Sequence, residues 1–137
     1  MIISTKGRYA LRVMLDLAEH QGGGYLPLKD IAARQGISEK YLESIIKVLV
    51  QNQMLIGLRG KGGGYRLTKA PDQYTLGSIL RLTEGGLAPV ACEGLYHEQC
   101  SRSKTCPTLP VWRKLDQLIS GYLDGVTLAD LLENGSV

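Results

Sequence analysis

The sequence predicts a mainly α-helical protein with a small β-hairpin wing, and three observations carry that expectation. Apolar residues recur at i, i+3, i+4 and i+7 along several stretches, the pattern of a helix with one buried face. Two short strand-like runs, Met54 to Leu58 and Tyr65 to Leu67, flank the tight-turn composition Arg59-Gly-Lys-Gly-Gly-Gly64. Glycine, proline, serine and threonine fall between the segments, where helices stop and start.

Taken in order, the first helix follows Ser4-Thr5, either of which can cap it. Ala10, Met14, Leu17 and Ala18 form its apolar stripe, and Leu11, Val13 and Leu15 widen it, as expected of a central core helix or of one that also meets a second subunit. Gln21-Gly-Gly-Gly24 ends it. Leu28, Ile31 and Ala32 then give a short apolar face, Gly36 a turn, and Ser38 a cap for a helix whose Leu42, Ile45, Ile46 and Leu49 face inward. These are the proportions of a helix-turn-helix, and the glycine-tipped hairpin directly after it makes a winged helix. Ala70 to Tyr74 reads as a linker. Thr75 caps a helix carrying Leu76, Ile79, Leu80 and Thr83, closed by Gly85-Gly86. Pro107 and Pro110 favour the start of a long helix whose Val111, Leu115, Leu118, Ile119 and Tyr122 form a seam suited to pairing with a second copy. Thr127 and Asp130 offer an acidic variant of a capping box for a last short helix. The expected division is residues 1–70 as the DNA-binding part, and 71–137 as a cysteine loop at 92–106 with a dimerisation region.

With 44% hydrophobic residues the chain can bury one core, and no apolar run approaches the roughly 20 residues that span a bilayer. Charge is unevenly spread: residues 1–70 carry 11 Lys/Arg against 5 Asp/Glu, and residues 71–137 carry 5 against 8. The front half is therefore the candidate polyanion binder. On the second helix of the motif Ser38, Lys40, Tyr41, Glu43, Ser44, Lys47 and Gln51 remain off the core stripe, although any solvated helix face is polar. Such side chains reach base edges and phosphates when the first turns enter a major groove. Arg59 and Lys61 at the hairpin tip suit a narrow minor groove or a hold on phosphates, because glycine lets one backbone approach another closely. The glycine run lacks the Gly-Lys-Ser/Thr ending of a phosphate-binding loop, and 6% aromatic content argues against a single-strand stacking platform. Duplex DNA, in a pseudo-palindromic site, is the expected target.

All three cysteines, Cys92, Cys100 and Cys106, lie in one polar stretch, separated by seven and five residues. An odd count, with a start Met-Ile-Ile-Ser-Thr-Lys that lacks an apolar signal stretch, points to a reducing cytoplasmic setting. The gaps differ from the two to four residues usual for structural zinc, whereas thiolates in a longer loop also suit an iron–sulfur cluster or a redox switch. No Cys/His/Asn arrangement of a catalytic thiol is apparent, so no enzyme is expected.

Ser4-Thr-Lys-Gly-Arg-Tyr-Ala10, Gln35-Gly-Ile-Ser38, Tyr41-Leu-Glu43 and Arg59-Gly-Lys-Gly-Gly-Gly-Tyr65 together resemble the IscR-type family of bacterial winged-helix transcriptional regulators. That family includes iron–sulfur cluster regulators, nitric-oxide-sensing repressors and cysteine-metabolism repressors. The resemblance implies a homodimer whose promoter binding is controlled by a cluster on Cys92, Cys100 and Cys106, with [2Fe-2S] favoured over [4Fe-4S]. The cysteine-metabolism members imply the alternative, a cluster-free repressor governed by thiol oxidation or a partner protein. The resemblance also implies that Glu43 tunes sequence preference, and that a fourth, non-cysteine ligand completes the cluster. Where the iron–sulfur regulators place a histidine, three residues after the last cysteine, this chain has Leu109, and Arg8 stands where the nitric-oxide sensors have an acid. His97 is the candidate in the loop, with Glu93, Glu98, His20 and a carboxylate from the partner subunit behind it.

Overall fold

The computed structural model describes residues 2–92, 95, 96 and 100–134. Among these residues six α-helices and one antiparallel hairpin follow in the order α1 (Thr5–Glu19), α2 (Leu28–Gln35), α3 (Glu39–Gln51), β1 (Leu55–Leu58), β2 (Gly64–Leu67), α4 (Leu76–Glu84), α5 (Leu109–Asp124) and α6 (Leu128–Asn134). The helix-turn-helix and the wing are thus as expected.

Helix α1 is the centre of the core. Ala10, Val13, Met14, Leu17 and Ala18 are buried, and α2, α3, α4, α6 and β2 all pack around it. Ser4 caps it, its hydroxyl oxygen accepting from the Gly7 N–H at 3.0 Å. A cap of this kind is worth about 1 kcal/mol. Asp16 lies on the same buried side, 1% exposed, and a carboxylate there requires partners. It has them from α2: Arg34 donates through Nη2 at 2.7 Å and Nε at 2.9 Å, and Gln35 through Nε2 at 2.9 Å. Burial by itself raises the Asp16 pKa, but the hydrogen bonds from Arg34 and Gln35 and the Arg34 charge outweigh it and hold the carboxyl below its ordinary value.

The turn between α2 and α3 is made by Gly36 in the left-handed region (φ 65°), and Ser38 caps α3 by accepting from the Tyr41 N–H at 3.2 Å. Leu42, Ile45, Ile46 and Leu49 anchor α3 in the core, as their spacing predicts. The hairpin pairs Leu55 with Leu67, Ile56 with Arg66, Gly57 with Tyr65 and Leu58 with Gly64. A third segment joins it, since Leu26 and Tyr65 exchange two backbone hydrogen bonds of 2.9 Å. Gly64 (φ 143°) is required for that pairing, because a Cβ there would stand 2.1 Å from the Leu26 carbonyl oxygen. One of the tip glycines therefore serves a close approach inside the protein.

Ala70 to Tyr74, expected as a linker, stays at the surface until its last residue, which enters the core. Pro71–Gln73 forms a 3-10 turn, and Tyr74 is fully buried. Its hydroxyl accepts from the Thr68 and Lys69 N–H groups at 2.9 and 3.0 Å and donates to the Met54 carbonyl at 2.8 Å. An aromatic ring with a polar tip can bridge core and backbone in this way, which composition alone does not reveal. Thr75 caps α4, and Thr127 with Asp130 forms the expected reciprocal box at α6, with bonds of 2.9 and 3.1 Å.

Candidate functional site

Two regions carry chemistry, the first between α3 and the hairpin. Having spent its apolar stripe on the core, α3 leaves Ser38, Lys40, Glu43, Ser44 and Lys47 exposed. A groove of about 660 Å³ separates α3 from the hairpin and brings together Glu43, Lys47, Gln51 and Arg59, with Gly60, Gly63 and Gly64 along its other wall. Lys61 is exposed at the tip, and Ser38, Lys40, Tyr41, Ser44 and Lys61 lie outside this groove. Ser38 is occupied as the cap, and the Ser44 hydroxyl donates to the Tyr41 carbonyl at 2.6 Å. Tyr41 is half-buried with its ring edge-on to Tyr9, the centroids 5.9 Å apart, and Arg12 lies over the other ring at 5.0 Å. Tyr9 and Arg12 were not singled out in the sequence. Their signal would have been the contact of α1 with the start of α3, which no local pattern encodes.

The second region is the segment between α4 and α5. Cys92, Cys100 and Cys106 are all partly exposed and form no disulfide. Cys106 sits just before α5. Its sulfur lies 3.3 Å from the Thr108 hydroxyl, and that contact, the Thr108 and Leu109 N–H groups and the Arg102 charge hold the thiol below its ordinary pKa. Leu95 is buried, and its carbonyl accepts from Arg113 Nε on α5 at 2.7 Å. The Tyr96 hydroxyl donates to Asp116 of the same helix. Leu109 is 2% exposed, so the position three residues after the last cysteine serves packing.

In donor chemistry three free, solvent-reachable thiols fit a soft metal or cluster. Among the described residues no three His, Cys, Asp or Glu side chains converge as a metal site, so the thiols are not drawn together in this conformation. His97, Glu93 and Glu98 lie outside the described residues. His20 sits at the far end of α1, about 22 Å along a 15-residue helix from Ser4, with Nδ1 2.8 Å from the Asp16 carbonyl oxygen. It is placed at the α2 junction, away from the α4 end of the loop.

Comparison with known proteins now decides the family. The family model described as Rrf2, an iron-dependent transcriptional regulator, matches residues 3–134. The chain belongs to the Rrf2 family. It is 39% identical over its full 137 residues to the HTH-type transcriptional regulator IscR of Erwinia tasmaniensis, covering 82% of that relative. Among solved structures it is similar to CymR, the global cysteine regulator of B. subtilis, with 37% identity, a TM-score of 0.79 and coverage of 96% of this chain and 95% of that one. T. potens IscR gives 39% identity and a TM-score of 0.76, covering 99% and 89%. As an Rrf2 protein the chain is a DNA-binding transcriptional regulator and not an enzyme, and its mostly helical fold with one hairpin is the winged helix of these neighbours. No helix among the described residues is long and apolar enough to cross a membrane.

Proposed function

We propose that this Rrf2 regulator binds duplex operator DNA as a homodimer and is controlled by an iron–sulfur cluster held by Cys92, Cys100 and Cys106. The observation that carries the DNA half is the groove in which Glu43 and Lys47 of α3 face Arg59 of the hairpin. α3 enters the major groove, where Ser38, Lys40, Tyr41, Glu43, Ser44 and Lys47 meet base edges and phosphates. Arg59 and Lys61 approach the adjacent minor groove or its phosphates. Residues 1–70 do the reading, and residues 71–137 the sensing and pairing. The exposed Val111, Leu115, Leu118 and Tyr122 on α5 support pairing of two copies, and two copies suit a pseudo-palindromic site. The cytoplasm is the compartment in which free thiols persist.

The cluster reading rests on three free thiols in a member of an iron-dependent family. Cys106, whose thiol pKa is lowered by its contact with Thr108, supplies the first ligand. Cys92 and Cys100 supply the next two, and [2Fe-2S] is preferred over [4Fe-4S]. The fourth ligand is open, with His97 the candidate. A bound cluster supplies an iron- and redox-responsive centre. Gathering the thiols around it reshapes the loop between Glu84 and Leu109, and the change reaches the reading head through α1. Anaerobic purification with an absorption spectrum and iron and sulfide analysis tests this. A colourless, iron-free protein that binds its operator identically after Cys→Ala changes at all three positions would refute cluster control. The lowered Cys106 pKa favours a second reading, a cluster-free repressor switched by thiol oxidation or a partner protein. It predicts instead a loss of DNA binding on mild oxidation of the iron-free protein.

A further inference from the structure

The outer face of the hairpin has features that DNA reading does not use. Two shallow clefts, of about 620 and 650 Å³, meet at Ile56, Thr68 and Lys69, and neither includes Glu43, Lys47 or Arg59. Ile56 is 43% exposed and Leu58 49%. They lie two apart on β1 and so project to the same side of the sheet, but Leu58 also lines the DNA groove, and of the two only Ile56 lines the clefts. Arg66 is the register partner of Ile56 and stands beside it on that side, its guanidinium 4.7 Å from the Tyr25 ring centroid. Lys69 adds a second cation, and among the described residues no carboxylate lines either cleft. β1 is also the outer strand: β2 is paired on one side with β1 and on the other with Leu26. Because Tyr65 spends both its backbone groups on Leu26, the ladder bonds to β1 fall at Ile56 and Leu58. The alternation then leaves the Gly57 amide and carbonyl on the open edge.

Exposed apolar side chains, adjacent cations and an open strand edge describe a protein-docking surface better than a phosphate contact, because a duplex backbone gains nothing from Ile56. We infer that this face docks an extended, acidic segment of a partner polypeptide. An apolar side chain of the segment rests on Ile56, carboxylates meet Arg66 and Lys69, and the main chain runs along β1. The opposite wall of the hairpin belongs to the DNA groove, so a regulator on its operator presents this face to other proteins.

The test uses the full chain held on a duplex selected for it from a random pool, so that the DNA groove is already filled, and pans it against short random peptides on phage. Enriched peptides should combine an apolar anchor with flanking Asp or Glu. Their affinity should fall roughly tenfold or more in Ile56→Asp and in the exposed Lys69→Glu, with duplex affinity unchanged. Three results would overturn the inference. These are enrichment of no acidic sequence, binding indifferent to both substitutions, or a loss of duplex affinity in Lys69→Glu, which would make the face part of the DNA site.

Discussion

Ser4 and Glu84 fasten the start of α1 to the end of α4. The Ser4 hydroxyl and backbone N–H both donate to Glu84 Oε1, at 2.6 and 3.2 Å, while the same hydroxyl caps α1. The segment that leads into the cysteine loop begins one residue later at Gly85, and the other end of α1 is fastened through Asp16 to Arg34 and Gln35 of the helix-turn-helix. Glu84→Ala should cost about 1–2 kcal/mol, the usual scale for hydrogen bonds to a charged group. It should also shrink the difference in operator affinity between iron-loaded and iron-free protein. Chemical denaturation reads the first effect and paired DNA titrations the second. A coupling unchanged in the variant would remove α1 from the route.

Gly7 explains why that junction is tight. A Cβ at this position would stand 2.2 Å from Glu84 Oε1 and 3.2 Å from Leu80 Cδ2. Gly7→Ala should push the Glu84 head aside and destabilise by about 1–3 kcal/mol, as overpacking does. In a double-mutant cycle with Glu84→Ala the two costs should be less than additive.

Asp16 gives a pH signature. Its carboxyl pKa is lowered in the folded protein, so its stabilising contribution is fully present above the unfolded value of about 3.9 and is lost as pH falls through the folded value. Asp16→Asn should cost about 1–3 kcal/mol at neutral pH, discounted because Arg34 is partly exposed. The gap between the denaturation midpoints of wild type and variant should narrow below about pH 4. A constant gap would show that the charge contributes nothing.

Replacing Arg59 with Ala should weaken binding to most duplexes alike and flatten the dependence of log K on log salt by about one phosphate contact. Glu43→Ala should act differently, relaxing preference at one base pair by about 1–3 kcal/mol. Titrations of both variants across salt and across single-base operator changes separate the two roles, and identical behaviour would sink the assignment.

On α5, Leu118→Glu should abolish self-association in sedimentation at micromolar concentration while leaving the helical circular dichroism intact, since Leu118 is exposed within one copy. Persistent dimers would move the interface elsewhere.

Local signals made much of this molecule legible. The caps at Ser4, Ser38 and Thr75 and the box at Thr127 are where side-chain chemistry put them, and the α3 stripe is buried residue for residue. What sequence missed was partnership. Asp16 stands among Val13, Met14 and Leu17 on the apolar arc of α1, a misplaced charge that signals a buried pair, but its partners are 18 and 19 residues away. Tyr74 seemed to close a linker because Ala-Pro-Asp-Gln before it has loop composition, yet a lone tyrosine can find backbone groups 20 residues back. The polar face of α3 was readable because removing the core stripe leaves it. The arrangement of the cysteines was not, since neither helical nor strand periodicity governs a loop.

Leu109 sets a direction for whatever happens in that loop. With its side chain in the core three residues after Cys106, and with Leu95 and Tyr96 tied to Arg113 and Asp116, the α5 side of the loop is moored. On the α4 side stand Gly85 and Gly86, at φ 75° and 155°, backbone that turns without a side chain to hold it. Just beyond them Leu87 is buried, so the α4 side is moored as well. The loop is a tether made fast at both ends, and a contraction that gathers the thiols would pull through Leu87 toward Glu84, the partner of Ser4.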